Sequence, residues 1–228
     1  RVAELLKLVA LPDDVGARQQ AFCTCAGGKH AGRTHPLPRR LPHAGHRQDL
    51  DLQRVRTLAG IPGLMAYLLD ANVFIQAKNL QYGFDFCPAF WDWLERMNGQ
   101  GKIFSIQQVL SELQRGEDEL TEWGEARGEG FFLPPDNQVL AAAPRVSAWA
   151  TGQDYAPVAV NTFLQVADYW LVAFATTHGH TVVTHEVPAN SPKKIKIPNA
   201  CVGLGVRFMT PYQMLRSERA RFVLGSMA

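Results

Sequence analysis

The sequence predicts an α/β domain around a central, mainly parallel sheet, preceded by an irregular N-terminal extension, and three observations carry that prediction. From Met65 onward, short apolar runs alternate with longer stretches of helical period, the pattern of βαβ units. Two of the short runs, Ala66–Leu69 and Thr181–Thr184, read as buried strands, and each is followed closely by an acid. Charge divides the chain at the same place: residues 1–64 carry 10 Lys/Arg against 5 Asp/Glu, the remainder 13 against 16. A net charge of +2 over 228 residues therefore hides a basic part of +5 and an acidic part of −3.

In the first part, residues 1–22 admit a short helix with Val2, Leu5, Leu6 and Val9 on one face, broken at Pro12. Residues 23–63 are rich in Gly, Pro, His and Arg and sustain no apolar period, so 1–64 is expected to be a flexible basic or non-native extension. No methionine precedes Met65, which fits a native start there with appended upstream sequence. Cys23, Cys25, His30, His35, His43 and His46 invite a zinc reading, but CxC followed by loosely spaced histidines matches no structural zinc spacing. Four cysteines make no disulfide framework, and no stretch approaches the roughly 20 apolar residues of a membrane span. A soluble protein of the reducing cytoplasm, without a membrane partner, is the expectation.

In the second part, residues 65–228, the first strand leads toward an aromatic-rich helix marked by Phe90, Trp91, Trp93, Leu94 and Met97, which Gly99-Gln100-Gly101 would end. Further helices are expected near 106–115, 138–150 and 156–178, with a strand at Phe131–Leu133 stopped by Pro134-Pro135. After the Thr181–Thr184 strand come the alternation Lys194-Ile195-Lys196-Ile197, a short strand Arg207–Met209 and a last helix from about Pro211.

Four carboxylates stand out by position. Asp70 and Glu186 follow the two clearest strands, at the carboxyl edge where open α/β sheets hold ligands. Asp168 has Leu164, Leu171, Val172 and Ala175 as helical neighbours, so a carboxylate sits in an apolar stripe and needs a cation or a proton. Glu112 borders the face made by Ile106, Val109, Leu110 and Leu113. Each has a plainer reading: Asp70 or Asn72 as a helix cap, Glu112 as a solvated helix edge, Asp168 in an ion pair with Arg207, Glu186 as a loop acid. Together they favour a shared site, because carboxylates gathered at one sheet edge repel one another unless divalent cations neutralise them, and oxygen-only ligands suit Mg²⁺ or Mn²⁺.

The stretches LLDANVF (68–74), Ser111-Glu112-Leu113, ADYWLVAFA (167–175) and VVTHE (182–186) resemble the ordered acidic motifs of PIN-domain ribonucleases. The surrounding wording, YGFDFCPAFWDWL, FFLPPD and KKIKIPNACVGLGVRFMTP, is similar to a bacterial VapC-like toxin subfamily long catalogued as a domain of unknown function. The resemblance runs from about Met65 to Leu224 and implies a three-layer α/β/α fold. It also implies an Mg²⁺- or Mn²⁺-dependent endoribonuclease, with RNA as substrate and an antitoxin protein as partner. Carried over, Asp70, Glu112 and Asp168 match the first three acids and Glu186 stands where most members have Asp; the longer side chain leaves open a direct or water-mediated metal contact. Asn72 and Thr184 are supporting candidates.

An acidic pocket that takes a polyanion needs positive charge at its rim, for which Lys193, Lys194 and Lys196 are the candidates, with a solvated edge strand as the alternative. Tyr82, Phe84 and Phe86 are expected in the core rather than stacked on bases. Two other functions stay open. One is a degenerate fold acting as a non-catalytic RNA- or protein-binding module. The other is a HAD-type phosphatase, against which stands Asn72 where that chemistry needs a second acid. The oligomeric state is left open between monomer and homodimer.

Overall fold

Residues 65–223 are described by the computed structural model. The expected 1–22 helix, the basic extension and the Cys/His cluster lie outside the described residues. The sheet has five strands, β1 (Tyr67–Leu69), β2 (Ile103–Ile106), β3 (Phe132–Leu133), β4 (Thr181–Val183) and β5 (Phe208–Met209). Their order is β3-β2-β1-β4-β5 and every pairing is parallel. β1 is therefore central, with Leu68 opposite Phe104 on one side and Val182 on the other. Burial on both faces explains its uniformly apolar sequence.

Nine α-helices connect and flank these strands among the described residues: α1 (Ala71–Gln76), α2 (Pro88–Gly99), α3 (Gln107–Leu113), α4 (Glu119–Phe131), α5 (Asn137–Thr151), α6 (Pro157–Gln165), α7 (Ala167–His178), α8 (Ile197–Leu204) and α9 (Pro211–Ser217). With the right-handed crossovers usual between parallel strands, this strand order puts α2 and α4 on one face of the sheet and α5, α7 and α8 on the other. The packing agrees: α2 and α4 lie on β2, whereas α5 touches α7 and α8, and α7 reaches β2 and β4. The architecture is thus the three-layer α/β/α expected.

Local sequence accounts for the elements that place the site. α2 starts with Pro88 in its first turn and buries Phe90, Trp91, Trp93, Leu94 and Met97, the five residues of the predicted face. Its end turns at Gly101, whose φ of +74° is a left-handed conformation that suits glycine. Tyr82 stacks on Phe90 with centroids 4.3 Å apart and Phe84 on Trp91 at 4.1 Å, so both are partly buried against the core rather than within it, and Phe86 is 65% exposed.

Three expectations are corrected. The single helix over 156–178 is two, α6 and α7, bent by 72° at Val166, whose φ and ψ of −107° and 169° are extended. Asp168 therefore stands in the first turn of α7 rather than in the middle of a longer apolar stripe, and Leu164 belongs to another helix. Lys194–Ile197 forms no edge strand: Ile195 and Ile197 are buried anchors of a loop, and the alternation keeps the lysines off the core. No single helix among the described residues is long and apolar enough to cross a membrane.

Candidate active site

Because Leu69 pairs with Val183 in parallel register, the residues that follow β1 and β4 emerge side by side at the carboxyl edge of the sheet. Asp70 follows β1 and is only 2% exposed; its N–H donates to the Val183 carbonyl at 3.0 Å. Thr184 follows β4, and its Oγ1 donates to Asp70 Oδ2 at 2.8 Å while accepting from the Glu186 N–H at 3.0 Å. On the other side of β1, the buried Ser105 hydroxyl donates to the Leu69 carbonyl at 2.7 Å and fixes the strand end just before Asp70.

Asp168 enters from α7. Val166, at the N-cap position of this helix, supplies no side-chain cap, and Glu112 reaches across from α3 to take that role: its Oε1 accepts from the Ala167 N–H at 3.3 Å. Glu112 is thus neither a free helix edge nor a bystander, since it secures the turn that carries Asp168. Arg207 donates to the Gly179 carbonyl at 3.0 Å, so the ion pair with Asp168 is not formed. Glu186 is engaged at both oxygens. Oε1 meets Lys196 Nζ at 2.6 Å and Lys194 Nζ at 3.6 Å, and Oε2 accepts from the Ile197 N–H at 2.9 Å.

Asn72, Glu112, Asp168, Glu186, Lys193 and Lys194 line one cavity of about 370 Å³, with Thr162 and Phe163 of α6 completing its wall. Asp70 lies buried and is coupled to it by charge. Burial pushes the Asp70 carboxyl up to about 6, the hydrogen bond from Thr184 opposes this, and the charge of Glu186 adds to it. Asp168 is pushed up to about 7, first by burial and then by the like charges of Asp70, Glu186 and Glu112, against which Lys194 pulls it down.

The family described as a domain of unknown function (DUF4411) matches residues 67–222. The chain belongs to this family. Membership agrees with the resemblance to a subfamily so catalogued and covers every element from β1 to α9. Two solved structures are similar to the chain. FitAcB from Neisseria gonorrhoeae is 19% identical, with 64% of this chain and 98% of that one covered and a TM-score of 0.39. VapBC2 from Rickettsia felis, bound to a DNA fragment from their promoter, is 15% identical with the same coverages and a TM-score of 0.38. Among curated proteins no match is found.

The four carboxylates offer only oxygen donors, and at Asp70 and Asp168 burial and neighbouring like charges outweigh the groups that favour ionisation, which fits a hard divalent cation in kind. Among the described residues, no three His, Cys, Asp or Glu side chains stand close enough to share an ion. The acids are an electrostatically coupled set around the cavity rather than a closed cage. Glu186 is the member already satisfied, which leaves Asp70, Glu112 and Asp168 as the candidate holders. Lys193 and Lys194 are exposed beside them, while Lys196 is committed to Glu186. Ser105, Thr162 and Phe163 were not expected from the sequence; only Ser105 leaves a trace there, as the one polar residue in an apolar IFSI run.

Proposed function

We propose that the chain is a Mg²⁺- or Mn²⁺-dependent PIN-type endoribonuclease, the toxin of a toxin–antitoxin pair acting in the cytoplasm. One observation carries the reading: acids from β1, α3, α7 and the segment after β4 gather at the carboxyl edge of a parallel sheet, beside a loop that carries lysines. The resemblance to PIN-domain toxins supports RNA as substrate and an antitoxin as partner.

Asp70, Asp168 and Glu112 would hold the cation only once their side chains close on it, since as they stand no three acids are placed to share one; a bound cation would activate water and stabilise charge on the phosphate oxygens. Thr184 orients Asp70, and Glu112 fixes the first turn of α7 and with it Asp168. With its carboxyl pushed up to about 7, Asp168 is only partly ionised near neutral pH, and a nearby positive charge would favour its ionised form. Lys193 and Lys194 draw the RNA backbone to a rim that the acids alone would repel. Asn72 lines the cavity as an amide, which cannot act as the leaving-group acid of a HAD-type phosphatase. The open arrangement of the acids favours a second reading, a binding module without catalysis.

Incubating the purified chain with total cellular RNA in Mg²⁺ and in EDTA separates the two. Cleavage in Mg²⁺ that EDTA and Asp70→Asn both abolish is expected; RNA retained intact on the protein in both conditions supports the binding module.

A further inference from the structure

Glu186 occupies the fourth place in the acidic series, yet its contacts point away from a cation. Its side chain is 10% exposed and both oxygens face the far end of the loop that it begins. Oε1 pairs with Lys196 and Oε2 takes the backbone N–H of Ile197, so one carboxylate ties residue 186 to residues 196 and 197. Ile195 and Ile197 are buried on either side of Lys196, which pins the same stretch from below. Lys194, 62% exposed and 3.6 Å from Oε1, and the exposed Lys193 are thereby set on the cavity wall next to Asp168 and Glu112.

We propose that Glu186 is a positioning residue, a clasp that closes the loop 187–196 and presents Lys193 and Lys194 to the phosphates of an RNA strand, and that it is not a cation ligand. The inference rests on the nuclease reading above and assigns this acid a different task within it. Length is the physical reason. A carboxylate must reach the Lys196 ammonium and the Ile197 N–H together, and the glutamate does so where an aspartate, one methylene shorter, falls short of one of them. Thr184 adds a second consequence: its hydroxyl accepts from the Glu186 N–H and donates to Asp70, so the clasp is joined to the buried acid by a continuous chain of hydrogen bonds. A lysine ammonium is a point charge, so the surface formed by Lys193 and Lys194 would bind the sugar-phosphate backbone without reading bases.

The test compares the full chain with Glu186→Gln, Glu186→Asp and Lys194→Met. Mn²⁺ binding is followed by the electron paramagnetic resonance of the free ion, and kcat and KM are measured on a single-stranded RNA across a KCl series. Glu186→Gln and Glu186→Asp are both expected to leave Mn²⁺ affinity unchanged and to raise KM several-fold with little change in kcat. Lys194→Met is expected to raise KM as well and to flatten the dependence of log(kcat/KM) on log[KCl] by about 0.7. A tenfold or greater loss of Mn²⁺ affinity in Glu186→Gln, about what a disturbed ligand shell costs, with affinity kept in Glu186→Asp, would overturn the clasp and leave the nuclease standing. Failure of the wild type to bind Mn²⁺ overturns both. Should Glu186→Gln unfold, Glu186→Asp and Lys194→Met decide: Glu186→Asp with the KM and kcat of the wild type, or Lys194→Met with an unchanged salt slope, sinks the proposal.

Discussion

Asp168 concentrates the electrostatic cost of the site, being half-buried among three other acids with Lys194 as its nearest counterweight. Replacing it by asparagine removes one of four like charges while keeping its shape. Asp168→Asn should reduce Mg²⁺-dependent RNA cleavage by at least ~100-fold, at or above what lost ligand support costs elsewhere, and leave thermal stability in EDTA unchanged or higher. A strongly destabilised but active variant would assign Asp168 to a structural pair instead. The same charges fix a pH dependence. Folding raises the carboxyls of Asp70 and Asp168 to about 6 and about 7, so the folded state binds their protons more tightly than the unfolded one. The sign follows: without cation, stability is highest when both are protonated and falls as pH rises through that range. Melting temperatures in EDTA should decline from pH 5 to pH 8, and saturating Mg²⁺ should flatten the decline; a rise in EDTA contradicts the burial of these acids. Asp70 and Glu186 were legible in the sequence from their places after strands, Asp168 from its apolar helical neighbours, and Glu112 chiefly from the resemblance. What each one touches was not, because hydrogen-bond partners such as Glu112 with Ala167 lie 55 residues apart.

At the level of elements, the sequence revealed β1, β4, β5 and α2 because turn residues punctuate them and their apolar faces are clean. It concealed β2, whose four residues run directly into α3 without a Gly or Pro to separate them. α4 escaped notice for a different reason. Gly124, Gly128 and Gly130 dilute its apolar period, and Gly128 interrupts it at φ +52°, while Asp118 starts it with a capping box closed by Thr121. The break between α6 and α7 carries no Pro or Gly either; tertiary packing makes it, and Glu112 caps the new helix from outside. β1 and β4 are joined at their ends by one side-chain bond, Thr184 to Asp70. Thr184→Val keeps the shape and deletes the donor, leaving a buried carboxylate oxygen without it. A loss of about 1–3 kcal/mol in unfolding free energy is expected, together with weaker Mn²⁺ binding. Chemical denaturation and a metal titration measure the two, and a neutral outcome in both would show that the bond positions nothing.

Among the described residues, the buried apolar cluster runs from Ala66 to Leu215, almost wholly within the family match. Removing residues 1–64 should therefore leave one cooperative unfolding transition at nearly the temperature of the full chain, and scanning calorimetry on both would show it. A chain starting at Met65 that melts gradually would place part of the fold upstream. The sheet order has a further consequence in time. The central strand β1 is the first to be synthesised, yet its partner β4 follows more than a hundred residues later, and Thr184 stands 114 positions after the Asp70 it holds. Contacts so distant along the chain form late in folding. A growing polypeptide that has not yet reached Asp168 has Asp70 and Glu112 but neither the third acid nor the loop that faces it, so on the function proposed here it has no complete site with which to attack the messenger being read.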